Sequence, residues 1–176
     1  MKIISVVKAS CIVVLVSTTA LAHSQSVYAI RGPWIDETEK SVQLETLAGT
    51  YTVMTMAYGA CQKVCSTTVR RVRQLHDLAD QRRLSLNFVV IGLDPVADKP
   101  ADWAAFRVEQ RFAAADTHFI SGTPAATQRI ARSMGVRYWR YGEHTLHDFR
   151  IVLVSPAGRI VRAVDHFDDD IASLLP

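Results

Sequence analysis

Two cysteines four positions apart, Cys61 and Cys65, are the residues of this chain best suited to chemistry. The third cysteine, Cys11, lies in the apolar N-terminal segment, so the pair has no other thiol to join. A close pair either forms a short-loop disulfide or supplies two ligands to a soft metal such as Cu(I) or zinc. A disulfide closing so small a loop removes little chain entropy from the unfolded state, which favours redox or metal chemistry over a structural cross-link.

Two thiolates rarely complete a metal site, so a histidine is expected to supply a third ligand. His147 and His144 lie in residues 141–148, a predicted loop that can reach the cysteine end of the sheet, and the spacing leaves the choice between them open. A structural or surface role is expected for His76, His118 and His166, and His23 has no paired ligand at a telling spacing.

The cysteines lie where a buried strand is followed by a helix. Residues 50–58 are β-branched and apolar, Gly59 ends this run, and apolar side chains recur at helical spacing from Cys65 or Ser66 to about Arg82. Cys65 therefore falls in the first helical turn, where the backbone N–H groups and the helix dipole favour a thiolate. If the segment is helical throughout, the two Cα atoms lie about 6 Å apart, within disulfide range.

The remaining elements alternate between strand and helix. Thr123 is the expected N-cap of the third helix, with Pro124 at its first position and Gly135 at its end. An α/β fold of thioredoxin-like layout is predicted, with a mixed β-sheet, helices on both faces and a C-terminal β-hairpin. The predicted strands are 41–47 at an edge, 50–58, 86–93 in the centre, 117–120, 149–154 and 159–164, and the other helices are 66–82 and 101–112.

The N-terminal residues predict export. Lys2 and Lys8, an apolar run and the triplet Ala20-Leu21-Ala22 are typical of a signal peptide over residues 1–22. The protein would be periplasmic if bacterial, with a retained N-terminal membrane anchor as the less favoured alternative. Residues 23–40 are predicted to form a leader, mobile over 23–33, and residues 41–176 a single domain.

The charge of the chain gives no reason to expect nucleic acid as a partner. The formal net charge is +3, and it falls to about +1 when Lys2 and Lys8 leave with the signal peptide. Nothing in this balance calls for nucleic acid, and a monomer is expected. Arg70, Arg71 and Arg73 are interpreted as part of a solvated helix face.

The chain resembles the Sco/SenC family over residues 41–161. The resemblance rests on the order and spacing of several motifs, each weak by itself. They are the Cys61-x-x-x-Cys65 loop, Asp94-Pro95-x-x-Asp98-x-Pro100, Gly122-Thr123-Pro124, and His147 nine positions before Pro156-x-Gly158. Cys61, Cys65 and His147 match the family's copper ligands, and His144 is the alternative to His147. Asp94 and Asp98 match acidic positions of the family near the site.

This resemblance implies a copper-handling protein that assists assembly of the copper centre of cytochrome c oxidase. Its cargo would be Cu(I), with Cu(II) as an alternative, and its partners a copper-receiving protein such as an oxidase subunit and a thiol reductant, near a membrane. The alternative is an exported thiol-disulfide reductase in which Cys61 and Cys65 act on partner cysteines. The sequence departs from the family at Gln62 and Ser66, where prolines are usual, and at Asp148, which could orient the imidazole.

Overall fold

The computed structural model describes residues 26–59, 65–112, 117–142 and 144–176. The predicted signal peptide, His23 and Cys61 lie outside these ranges. The strands are β1 Trp34–Asp36, β2 Ser41–Val42, β3 Tyr51–Ala57, β4 Leu86–Gly92, β5 Thr117–Ser121, β6 Tyr138–Tyr141, β7 His144–His147, β8 Ile151–Val154 and β9 Ile160–Val164. The α-helices are α1 Cys65–Gln81, α2 Pro100–Glu109 and α3 Pro124–Met134, and 3-10 helices span Val27–Ala29, Leu44–Leu47 and Ile171–Leu174.

A mixed seven-stranded sheet, ordered β2-β1-β5-β4-β3-β8-β9, forms the centre of the domain. Strands β3, β4 and β5 are parallel, whereas β1 and β8 join this group in antiparallel orientation. Side chains on both faces of β3 and β4 are buried, as is usual for parallel strands covered by helices. The predicted mixed sheet and its central strand 86–93 are confirmed.

Helices cover both faces of this sheet. On one face, α1 places His76 against Phe88, and α2 packs Trp103 and Phe106 around Phe119. On the other face, the 3-10 helix Leu44–Leu47 lines a cavity with side chains of β4 and β5. The 3-10 helix Val27–Ala29 contacts both Leu44–Leu47 and α3. No helix in the described part of the chain is long and apolar enough to cross a membrane.

The N-terminal segment is part of the domain, which corrects the predicted mobile leader. Val27, Tyr28, Ile30 and Trp34 are buried. The backbone N–H of Val27 donates to the Gly158 carbonyl at 2.9 Å, and the Tyr28 hydroxyl lies 2.8 Å from Thr52 Oγ1. These apolar side chains cover a sheet face that would otherwise meet water, and β1 then extends the sheet beside β5.

The predicted edge strand over residues 41–47 is also corrected. Only Ser41 and Val42 pair with β1, and the chain then turns into the 3-10 helix Leu44–Leu47. Leu44 and Leu47 are both buried. Side chains three positions apart point to opposite faces of a strand, whereas one helical turn places both against the core.

Both ends of helix α3 lie where the sequence predicted them. The Thr123 side chain accepts a hydrogen bond from the Ala126 N–H, Pro124 is the first helical residue, and Gly135 closes the helix with φ of 72°. Only glycine adopts this left-handed conformation without strain. The C-terminal hairpin of β8 and β9 is confirmed as well, with β8 starting at Ile151.

Candidate metal centre

The cysteine segment follows the carboxyl end of β3. Gly59 is the last described residue before it, and α1 begins at Cys65, as predicted. Cys61 lies in the gap at residues 60–64, and Cys65 is described by its backbone alone. That backbone position is the first residue of a 17-residue helix, where unpaired N–H groups and the helix dipole lower the pKa expected of a thiol.

His147 lies in a strand and not in the loop that the sequence predicted. Residues 138–147 form a two-stranded antiparallel hairpin, separate from the main sheet, in which Tyr138 pairs with His147 and Tyr141 with His144. The aromatic residues Tyr138, Trp139 and Tyr141 favour extended backbone, and Gly142 supplies the turn with φ of 61°. We call residues 138–147 the histidine hairpin.

The environment of His147 suits a metal ligand. Its Nδ1 lies 2.8 Å from the Asp148 carbonyl oxygen, and because a carbonyl only accepts, Nδ1 carries the proton and Nε2 the lone pair. Burial lowers the pKa of His147 below its ordinary value, although the Asp148 carbonyl and carboxylate oppose this effect. At neutral pH the imidazole is therefore neutral, which is the form that binds metals.

The two candidate histidines face opposite ways. His144 and His147 are three positions apart on one strand, so their side chains leave opposite faces of the hairpin. His144 shares the outer face with Trp139, Tyr141 and Leu146, all of which are exposed to solvent. His147 shares the inner face with the buried Thr145. The geometry favours His147 over His144.

The carboxylate of Asp148 does not orient the imidazole, contrary to one reading of the sequence. Its oxygens accept hydrogen bonds from Arg137, with Nε at 2.8 Å and Nη2 at 3.2 Å. The Arg137 guanidinium holds the pKa of Asp148 below its usual range. It is the backbone carbonyl of Asp148 that contacts His147.

Asp98 lies between the ends of strands β3 and β4. Its side chain is fully buried, and its Oδ1 and Oδ2 accept from the N–H groups of Gly59 and Asp94, each at 2.7 Å. Burial raises the pKa of Asp98 to about 7, although hydrogen bonds from the Asp94 and Gly59 backbones act against the rise. Asp98 therefore contacts the residue two positions before Cys61.

Arg140 joins the histidine hairpin to the loop at residues 93–99, a contact that no sequence motif predicted. Its Nη1 donates to Asp94 Oδ2 at 3.1 Å. The remaining Asp94 oxygen accepts from the N–H groups of Val96 and Ala97, which fixes the carboxylate. An arginine among tyrosines and a tryptophan carries no motif, so the sequence offers no signal for this ion pair.

The other described histidines have no place at this site. The His76 ring packs against Phe88 at 5.0 Å between centroids and lies 3.4 Å from Asp80. His118 is half-buried in β5, and His166 is exposed after β9. These positions agree with the structural and surface roles expected of them.

The comparisons with known proteins identify a family. The SCO1/SenC family model matches residues 23–174. A protein of Stutzerimonas stutzeri named "Putative copper-binding protein" is 25% identical over 132 residues, which are 72% of this chain and 63% of that protein. The chain thus spans less than two thirds of this curated relative.

Solved structures share the fold. Arabidopsis thaliana ScoI with copper bound superposes with a TM-score of 0.69 at 22% identity, over 83% of this chain and 93% of that one. BsSco, described as a member of the Sco family of cytochrome c oxidase assembly proteins with a disulfide switch, gives a TM-score of 0.69 at 17% identity, over 80% and 87% of the two chains. These likenesses confirm the predicted thioredoxin-like α/β architecture.

Proposed function

The chain belongs to the SCO1/SenC family, and we propose that it carries copper through Cys61, Cys65 and His147. Two thiolates and a neutral imidazole form a soft donor set that suits Cu(I). The observation that carries the proposal is His147, whose imidazole is kept neutral by burial and whose Nδ1–H is held by the Asp148 carbonyl. One relative is named a copper-binding protein and the Arabidopsis thaliana ScoI structure has copper bound, which supports the same cargo.

The cargo would pass to a partner by ligand exchange. Each ligand of the donor protein is replaced in turn by one from the receiving site, so the ion moves without a change in oxidation state. The receiving site we propose is a copper centre of cytochrome c oxidase, because the family includes BsSco, described as an assembly protein of that oxidase. We also propose that residues 1–22 direct export, as their Lys2, Lys8 and Ala20-Leu21-Ala22 pattern indicates.

Copper titration of the reduced protein tests the assignment. His147→Ala should weaken Cu(I) affinity by at least about 100-fold, since even partners behind the ligands usually contribute 10- to 100-fold. Cys61→Ala and Cys65→Ala should do the same. His144→Ala is the matched control, because this histidine lies on the same strand and faces the other way; it should retain the affinity of the unmodified protein. Equal losses in His144→Ala and His147→Ala would refute the ligand assignment.

A second candidate function is thiol-disulfide reduction, favoured by the position of Cys65 at the first residue of α1. The Cys61 thiolate would attack a partner disulfide, forming a mixed disulfide and releasing one partner thiolate. Cys65 would then attack the Cys61 sulfur and release the second thiolate, so that two electrons reach the partner and Cys61 and Cys65 become a disulfide. If His147→Ala keeps full copper affinity but loses reduction of a disulfide substrate, this function replaces the first.

A further inference from the structure

We propose that Asp98, Asp94 and Arg140 form a brace that fixes the distance between Gly59, after the end of strand β3, and the histidine hairpin. These residues would be positioning residues, and none of them is assigned as a ligand. The inference rests on the proposed function, because a three-ligand site requires its two parts to be held at one separation. It deepens that function by naming what sets the separation.

The first arm of the brace runs from Asp98 to Gly59, the last described residue before Cys61. Asp98 Oδ1 accepts from the Gly59 N–H at 2.7 Å, two residues before Cys61. A Cβ at Gly59 would lie 3.0 Å from this oxygen, and one at Gly92 only 2.8 Å from the Asp98 Cβ, so the two glycines admit the carboxyl. The Asp98 carbonyl is in turn held by the Ser121 hydroxyl, which accepts from Trp103 Nε1 at 2.8 Å.

The second arm runs from Asp98 to the histidine hairpin. Asp98 Oδ2 accepts from the Asp94 N–H at 2.7 Å, and the Asp94 carboxylate accepts from Arg140 Nη1 at 3.1 Å. Arg140 lies on β6 and pairs with the buried Thr145, two residues before His147, so Arg140 and His147 share a face of the hairpin. One buried carboxyl thus contacts Gly59 directly and connects through Asp94 to Arg140 of the histidine hairpin.

The hairpin needs such a connection because it does not belong to the main sheet. Its two strands form a separate sheet, so no ladder of backbone hydrogen bonds joins β6 or β7 to β3 or β8. The hairpin's other ion pair, Arg137 with Asp148, lies at its own base and fixes neither strand to β4. The Asp94 side chain is 11% exposed and the Arg140 side chain 65%, so the ion pair lies at the surface with only its carboxylate shielded from water.

The second arm is tested by Arg140→Gln, Asp94→Asn and the double variant. Each single change should weaken Cu(I) affinity about fivefold, as expected for one partly buried ion pair, and the double variant no more than either single change. Amide hydrogen exchange in residues 138–147 should accelerate in all three. Arg159→Gln removes an exposed arginine at the β8–β9 turn and is the matched control. It should change neither the Cu(I) affinity nor the exchange rate of residues 138–147.

Hydrogen exchange separates failure of the brace from failure of the proposed function. If the unmodified protein binds no Cu(I), the function falls, and faster exchange of the hairpin in Arg140→Gln still supports the brace. The brace is overturned if Arg140→Gln changes neither the amide exchange of the hairpin nor the copper affinity. Additive losses in the double variant also overturn it, because they would mean that Asp94 and Arg140 act separately.

The first arm is tested by Asp98→Asn and, because that change in a buried network risks the fold, by Gly59→Ala. Both should change the fraction of Cys61–Cys65 disulfide at a fixed glutathione ratio by about twofold or more, whereas Arg140→Gln should leave it unchanged. Thermal unfolding confirms that each variant is folded. A disulfide fraction equal to that of the unmodified protein in folded Gly59→Ala overturns this arm.

Discussion

Asp98 is fully buried and His147 is half-buried, and burial moves their pKa values in opposite directions. The pKa of His147 falls and that of Asp98 rises to about 7, because burial penalises the charged form of each group. The imidazole is therefore ready to bind a metal at neutral pH, while the carboxyl changes its protonation near the same pH. As the pH falls, Asp98 takes up a proton near pH 7, whereas His147 takes one up only at a lower pH.

Asp98 should make stability fall as pH rises. Its pKa is about 7 in the folded protein and about 3.9 in an unfolded chain. The folded state therefore binds more protons between these values, and the contribution of Asp98 is complete below about pH 4 and lost through about pH 7. Urea unfolding should show the advantage of the unmodified protein over Asp98→Asn shrinking by about 2–4 kcal/mol between about pH 4.5 and 7.5.

The opposite trend would contradict this assignment. If the advantage over Asp98→Asn grew with pH, the two N–H donors from Gly59 and Asp94 would outweigh burial and hold the carboxylate ionised. Asp170→Asn provides a control, because this exposed carboxylate caps the C-terminal 3-10 helix and lies outside the buried network.

At the scale of elements, short-range signals predicted boundaries well and contacts across space poorly. The residues that cap and end α3 lie at the helix ends themselves, so the sequence predicts its boundaries. They are Thr123, Pro124 and Gly135. The histidine hairpin was missed because its strands bury little and pair only with each other. The 3-10 helix Leu44–Leu47 was missed because the choice between strand and turn depends on a core that the segment itself does not contain.

The cap of α3 gives a prediction at this scale. Thr123→Ala should lower the free energy of unfolding by about 1 kcal/mol, because the Ala126 N–H loses its side-chain acceptor. Urea unfolding measures the change. Ser133→Ala, on an exposed position of the same helix, should leave stability equal or slightly raised, since alanine is the better helix former. A Thr123→Ala protein as stable as the parent would show that the cap contributes nothing.

Across the whole molecule, the mixed sheet and its helices were predicted from alternating patterns, whereas the role of the N-terminal segment was not. Residues 26–36 contain no periodic apolar run, so their burial depends on the sheet face they cover. The ligand set of the candidate site stays a prediction. Motif spacing picked out His147, but Arg140, which ties the hairpin to the Asp94 loop, becomes visible only when distant segments are brought together.

Trp34 tests the importance of that N-terminal segment. Its side chain is 1% exposed, and a Cβ at Gly122 would come within 2.4 Å of its ring. Trp34→Ala should therefore cost about 3–5 kcal/mol of stability, as expected when a large buried aromatic side chain is removed. The neighbouring Ile35 is 40% exposed, so Ile35→Ala should cost far less. Equal losses in urea unfolding would mean that the segment is not part of the core.

The contact of Val27 with Gly158 places the start of the described chain at the end of the domain opposite Gly59. Gly158 lies in the β8–β9 turn, and Tyr28 meets Thr52 near the start of β3, whereas Gly59 and the cysteine segment follow its end. Strand β3 has seven residues, which corresponds to about 23 Å. The described chain thus begins at one pole of the domain, and the proposed copper site follows the opposite end of β3. A tether attached before Ser26 would leave the pole of the proposed copper site pointing outward, open to a docking partner.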